Sequence, residues 1–186
     1  KKPSGFHYDP NRWVMTPNTA KLRLPGFHER DGLMLEEAEK SPLNVVEPGS
    51  DPSIGFVTSG AAYMGVTEAF PAAPVLKLGF PHPLPVERIR AFAGTVETLV
   101  SAEEVEPLVE MELKAHGIDC HGKDCLPKRF DLSPDVLRRG IATLRGEAAP
   151  EAVEVNKTIA ITPKAEAKGG DQLFPRPPVM CPGCPH

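Results

Sequence analysis

Between Ile54 and Leu144, short runs of β-forming residues alternate with stretches of helical periodicity, and this alternation narrows the possible folds more than anything else in the chain. IGFVTSG (Ile54 to Gly60) is apolar and ends in small residues. AAYMGVTEAF follows, with Ala62, Val66, Ala69 and Phe70 at helical spacing. PVLKLG (Pro74 to Gly79) repeats the strand signal. LPVERIRAFAG then gives a helix with Pro85 near its start, Val86, Ile89, Phe92 and Ala93 on one face, and Gly94 as its stop. TVETLVSAEE (Thr95 to Glu104) reads as a third strand, and EVEPLVEMELKAHG as a helix with a stripe of Val105, Leu108, Val109 and Leu113. A short fourth strand is expected in GIDCHGK (Gly117 to Lys123). SPDVLRRGIATL closes the series with Ser133 as N-cap, Pro134 at the first helical position and Leu137, Ile141 and Leu144 on one face. Strands separated by single helices imply an α/β fold, with helices on both faces of a mostly parallel sheet.

The flanks are different. The chain has 22 prolines, concentrated outside this middle. Pro3, Pro10, Pro17, Pro25, Pro42, Pro48 and Pro52 make residues 1–52 a connecting arm with room for one short helix, around LMLEEAEK (Leu33 to Lys40). The apolar WVMTP (Trp13 to Pro17) is expected to lie on some surface, since exposed Trp, Val and Met together are unusual in a free linker. The α/β domain occupies residues 53–146. Residues 147–180 read as a linker, in which VEVNKTIAI (Val153 to Ile161) could add an edge strand and GGDQ and PRPP lead to a terminal CPGCPH.

Charge and cysteine use exclude several classes. With 21 Lys and Arg against 25 Asp and Glu, the net charge of -4 offers no basic footprint for a nucleic acid. No apolar run approaches the roughly 18 residues that span a bilayer, and the first residues lack the apolar core of a signal peptide, so a cytoplasmic chain is expected. Four cysteines, Cys120, Cys125, Cys181 and Cys184, are too unevenly placed for a secreted disulfide framework; reduced thiols or metal ligands are the better default. The missing initiator Met and the abrupt end suggest an excised piece.

Local chemical signals are weak apart from one. TSGAAY (Thr58 to Tyr63) joins a strand end to a helix start, where backbone N–H groups can hold an anion, but it matches no phosphate-loop pattern and reads more simply as a tight turn. His82, between two prolines in FPHPLP, could serve as an acid or base, or be a plain loop histidine. Glu103 and Glu104 are adjacent at a strand end and point apart, so solvation or helix capping suits them better than a carboxylate dyad. The C-x4-C of CHGKDC fits no strong zinc template. The terminal C-x-x-C is the stronger signal, being half of a zinc, iron-sulfur or redox site.

WVMTP, SPLNVVE (Ser41 to Glu47), IGFVTSGAAY, VLKLGFPHPLP, SAEEVEPLVEMEL, GIDCHGKDCLP and PRPPVMCPGCPH together strongly resemble, in the same order, the middle of the alpha subunits of the indolepyruvate ferredoxin oxidoreductases, a 2-oxoacid:ferredoxin oxidoreductase family. The resemblance implies a three-layer α/β/α domain like the C-terminal domain of transketolase. It also implies that residues 1–52 arrive from a pyrimidine-binding domain and that residues 181–186 open a pyrophosphate-binding domain. The parent enzyme would oxidatively decarboxylate aryl 2-oxoacids, chiefly indolepyruvate, to acyl-CoA. Its cofactors would be thiamine diphosphate, Mg2+ and 4Fe-4S clusters, none of them bound to this piece alone. Its partners would be the remaining domains, a beta subunit, ferredoxin and CoA. Carried over from related pyruvate enzymes, Cys181 and Cys184 become candidate cluster ligands beside the thiamine diphosphate, with Gly183 the close-approach glycine. Pro185 and His186 depart from the glycine that follows the second cysteine in those relatives, and His82 from the tyrosine of many relatives. The resemblance gives no catalytic residue within this span. The rival reading is a free-standing binding or redox module that uses the C-x-x-C as a thiol pair or metal clip.

Overall fold

The computed structural model describes residues 5–129 and 131–151. The chain divides into two units after Glu151, and the structural account below concerns the first. The expected edge strand at Val153 to Ile161, most of the linker, and Cys181, Gly183 and Cys184 lie outside the described residues.

Four strands, β1 (Asn44–Glu47), β2 (Gly55–Thr58), β3 (Val75–Leu78) and β4 (Leu99–Ala102), form one sheet in the order β1-β3-β2-β4. β2 pairs in parallel with both β3 and β4, as the alternation requires, while β1 pairs antiparallel with β3, Asn44 opposite Leu78. The sheet is therefore mixed rather than purely parallel. Its antiparallel edge comes from SPLNVVE, which had been assigned to the arm. The expected fourth strand in GIDCHGK is reduced to a single bridge, in which the His121 N–H donates to the Leu99 carbonyl (2.9 Å) and the Ser101 N–H to the His121 carbonyl (2.8 Å).

All four residues of β2 are buried, as a strand covered on both faces must be. Side chains alternate between the two faces. Phe56, Val75 and Val100 point to one core, which α3 (Gly60–Ala69) and α6 (Pro134–Arg145) close with Ala62, Val66, Leu137 and Ile141. Val57, Leu76 and Leu99 point to the other, closed by α4 (Val86–Ala93) and α5 (Leu108–Ala115) with Ile89, Phe92 and Leu113. Helices thus cover both faces. α6 begins as its sequence predicts, the Ser133 hydroxyl accepting the Val136 N–H at 3.4 Å, and ends on Gly146 in the left-handed region (φ 69°), a conformation that costs glycine least.

The arm departs most from expectation. After a short turn, α1 (Pro10–Trp13), a 24-residue helix, α2, runs from Pro17 to Lys40. The Thr16 side chain caps it, and Pro17 occupies a first-turn position where no N–H is missed. Pro25 lies inside α2 instead of ending it. Reading Pro25 as a stop gave only the last turns of this helix.

The last turn of α2 is locked to the body by reciprocal capping. The Glu39 carboxylate accepts the Glu87 and Arg88 N–H groups at 3.0 and 2.9 Å, at the start of α4. The Arg88 guanidinium in return donates to the carbonyls of Glu39 (3.2 Å) and Ser41 (3.0 Å) at the end of α2. Each charge sits at the helix end whose dipole favours it. The buried Asn44 amide completes the joint, donating to the Ala38 and Phe80 carbonyls and accepting the Phe80 N–H at 2.8 Å.

Candidate functional site

Parallel strands leave their connections at one end, so the loops after β2, β3 and β4 gather there. The chain leaves β2 for α3 on one face, and leaves β3 and β4 for α4 and α5 on the other. The crevice between the ends of β2 and β4 is the switch point at which open α/β sheets most often bind their ligands. A cavity of about 550 Å³ lies there, lined by Ser59, Gly60 and Ala61 from the first loop, Pro81, His82 and Leu84 from the second, and Glu103 to Glu106 with Leu108, Val109 and Glu112 from the third.

The lining mixes apolar and acidic side chains, buried and exposed alike. Leu84 is buried, whereas Leu108 is largely exposed. Glu103 is more than nine-tenths buried, and its charge is already engaged. One carboxylate oxygen accepts the Val109 N–H and the other the Glu110 N–H, both at 2.9 Å, and the Ser101 hydroxyl donates to the second at 3.3 Å. Glu103 therefore caps α5, in line with the capping reading of its sequence position. The device is the one Glu39 uses on α4: each helix follows a proline, Pro85 or Pro107, that offers no side-chain acceptor, and a glutamate from elsewhere supplies it. Val105, next in the loop, has φ 62°, a rare conformation for a β-branched residue. His82 is exposed at the mouth of the cavity.

Behind this loop lies a second polar cluster, built from CHGKDC. The buried Glu110 accepts from the Lys114 ammonium at 2.7 Å and from the Lys123 N–H at 2.8 Å. Any side chain at Gly122 would strike that carboxylate, since a Cβ there would lie 2.2 Å from Glu110 Oε2. The Lys123 ammonium reaches back to the Glu103 and Pro127 carbonyls, and burial pushes its pKa down despite the surrounding glutamates. Asp124 holds His121 Nδ1 at 2.6 Å and accepts the Gly122 N–H at 2.7 Å. Burial alone would raise its pKa, but these hydrogen bonds outweigh it and leave the carboxyl below its ordinary value.

The two thiols of this segment part company. Cys120 packs with Leu113 and Ile118 in one core, and Cys125 packs against the other core across the sheet, so the pair does not converge on a shared metal. Burial lifts each thiol to about 11. Among the described residues no group of three or more His, Cys, Asp or Glu side chains is placed to hold a metal ion.

Three relatives are similar over almost the whole chain. The indolepyruvate oxidoreductase subunit IorA of Methanothermobacter thermautotrophicus is 34% identical over 194 residues, covering 97% of this chain and 29% of the relative. The IorA subunits of Thermococcus kodakarensis and Pyrococcus horikoshii are 31% and 28% identical, covering 97% and 100% of this chain and 29% and 30% of their own lengths. The chain belongs to the IorA family. It spans about 29% of the length of these relatives. No family model matches it.

The cavity of this IorA-family chain is acidic. Four glutamates and no lysine or arginine line the cavity at the switch point. All four come from residues 103–112, so an anion brought there would find the start of α3 on one side and carboxylates on the other. TSGAAY, His82 and the Glu103–Glu104 pair are separate signals in the sequence, and the structure brings all three to one cavity. Sequence reasoning missed Leu84, Glu106 and Glu112 as lining; the available signal was that each follows a parallel strand at the same end. Among the described residues no helix is long and apolar enough to cross a membrane.

Proposed function

We propose that this chain is the central scaffold domain of a cytoplasmic, thiamine-diphosphate-dependent, ferredoxin-linked oxidoreductase that oxidatively decarboxylates aryl 2-oxoacids such as indolepyruvate to acyl-CoA. The observation that carries the reading is the match of nearly the whole chain to about 30% of the length of IorA subunits. The lack of lysine and arginine in the cavity lining fits a scaffolding role, with the reactive groups held by polypeptide outside this span. The architecture, a small sheet with helices on both faces, is compatible with a transketolase C-terminal-like domain.

In this reading residues 1–52 lead in from a pyrimidine-binding domain and residues 147–180 lead out to a pyrophosphate-binding domain that begins near Cys181. Cys181 and Cys184 would bind a 4Fe-4S cluster in the complete subunit, and Gly183 would permit close approach of the cofactor. Thiamine diphosphate and Mg2+ would be bound by the flanking domains, and a beta subunit, ferredoxin and CoA would be the partners.

The test is to produce the full-length subunit with its partner subunit and follow CoA-dependent reduction of ferredoxin by indolepyruvate. The expected result is turnover that requires thiamine diphosphate, with iron lost from the Cys181→Ala, Cys184→Ala double variant. Absence of 2-oxoacid-dependent reduction across aryl and aliphatic substrates would refute the reading. One equivalent of zinc on the 186-residue chain alone would favour a self-sufficient metal clip instead.

A further inference from the structure

The helix α2 is long and almost unsupported, and it carries large apolar side chains in the open. Its one buried residue is Ala38, and its ties to the body are those of its last turn. Upstream of that turn Leu22, Leu24, Phe27, Leu33, Met34 and Leu35 are exposed, Leu22 by 82%. At about 100° per residue these six fall into three rows, Leu22 with Leu33, Phe27 with Met34 and Leu24 with Leu35, spread around the helix rather than along one side. Lys21, Arg23 and Arg30 stand between the rows, and Glu29 falls in the row of Leu22 and Leu33.

Local preference does not account for this helix. Pro25 removes a helical hydrogen bond, and Gly26 and Gly32 are poor helix formers. Helices in water draw most of their stability from packing one face on a partner, and for residues 17–35 the described residues provide none.

Resting on the reading that this chain is an internal part of an IorA-type subunit, we infer that α2 is a docking arm seated in an apolar groove of the same subunit's polypeptide outside this span. Relatives of this chain extend over more than three times its length, so such polypeptide is abundant and covalently tethered. Tethering gives a millimolar effective concentration, which a free partner rarely reaches. The other two rows stand about 120° and 200° from the Leu22 and Leu33 row. Pairing with a second copy along one side therefore leaves at least one row in water, whereas a groove that surrounds the helix covers all three.

Hydrogen exchange read by mass spectrometry tests this on the full-length subunit, produced alone and with its partner subunit, with indolepyruvate-dependent reduction measured in parallel. In the subunit alone, amides of residues 17–35 should exchange at least about 100-fold more slowly than in the 186-residue chain, and the partner subunit should add little. The Leu22→Lys, Leu33→Lys double variant should abolish that protection while leaving the peptides of β2 and α3 unchanged. Exchange in the subunit alone as fast as in the 186-residue chain overturns the inference. So does protection that appears only with the partner subunit, or that rises with protein concentration. Protection without any 2-oxoacid oxidation would sink the enzymatic reading and leave the docking arm standing.

Discussion

Residues 44–146 and residues 5–35 carry similar kinds of apolar side chain and treat them in opposite ways. In the body each apolar residue of β2, β3 and β4 meets a helix that the chain itself supplies at the next crossover, and two cores result, one on each face. In the arm the crossover is missing. Leucine and phenylalanine stand exposed around a helix anchored to the body at its last turn, by the reciprocal cap and by Asn44. The difference teaches that a helix drawn by sequence is not thereby a helix stabilised by that sequence. The body carries its own reasons for folding, and the arm borrows them.

The strongest way to break this comparison is to damage the body. Phe56 is fully buried and stacks on Phe70 with ring centroids 5.0 Å apart. Phe56→Ala should cost about 3–5 kcal/mol, enough to unfold a large fraction of the chain, and urea denaturation would measure it. A loss under about 1 kcal/mol would mean that the two-core description is wrong.

The thiols sharpen the same contrast chemically. With Cys181 and Cys184 replaced by Ala, Cys120 and Cys125 remain, each raised from 9.0 to about 11 by burial. Two units leave about 100-fold less thiolate at pH 8, so both should label at least that much more slowly in the native chain than in denaturant. A thiol-release assay that gives two rapid equivalents in the native chain would show the body to be looser than described.

Next in size come the glutamates that cap helices from a distance. Glu103→Ala leaves the Val109 and Glu110 N–H groups without their acceptor and should cost about 1–2 kcal/mol by thermal denaturation. Glu39→Ala should cost about 1 kcal/mol, and should loosen the arm at its root as well as the start of α4. If Glu39→Ala proved costlier than Glu103→Ala, the arm would be contributing more to the body than its single joint suggests.

These caps also mark where the sequence was legible. Ser133, Pro134 and Gly146 announce α6 because every signal lies within the helix and its two ends. The β2, β3 and β4 strands and their helices were readable because a periodic pattern needs no knowledge of distant partners. β1 was hidden because four residues among prolines become a strand only through pairing with Val75–Leu78, some thirty residues on. α2 was hidden for the converse reason, since Pro25 is a local stop signal that the structure overrides. The cavity was legible only in pieces: Gly60, His82 and Glu104 share no spacing, and the parallel sheet alone brings them to one end.

A smaller effect should appear in acid. Asp124 has its carboxyl held below the ordinary value, so its charged form stabilises the folded chain above the unfolded pKa, and that contribution is lost as pH falls through the folded one. The melting temperature should therefore fall more steeply in the natural chain than in Asp124→Asn between about pH 5 and pH 2, the two converging at the acid end. Since the side chain is about half exposed, the difference is modest. Parallel melting curves at every pH would show the His121–Asp124 contact to be without consequence for stability.

The smallest effect belongs to the arm, and its smallness is the point. Leu22 and Leu33 bury little surface in the 186-residue chain, so replacing both with Ala removes little from water that folding had removed. Alanine also favours helix slightly, which offsets any residual contact. The double variant should therefore melt within about 0.5 kcal/mol of the natural chain. The same two substitutions in the full-length subunit should be destabilising by about 2 kcal/mol or more per leucine, because there each side chain would fill a groove. The two results bear on different halves of the comparison. A large loss in the 186-residue chain would show that the arm folds back on the body after all, and a negligible loss in the full subunit would show that it stays in water. If the loss is near zero in the short chain and large in the long one, then residues 5–35 owe their helix to polypeptide outside this span.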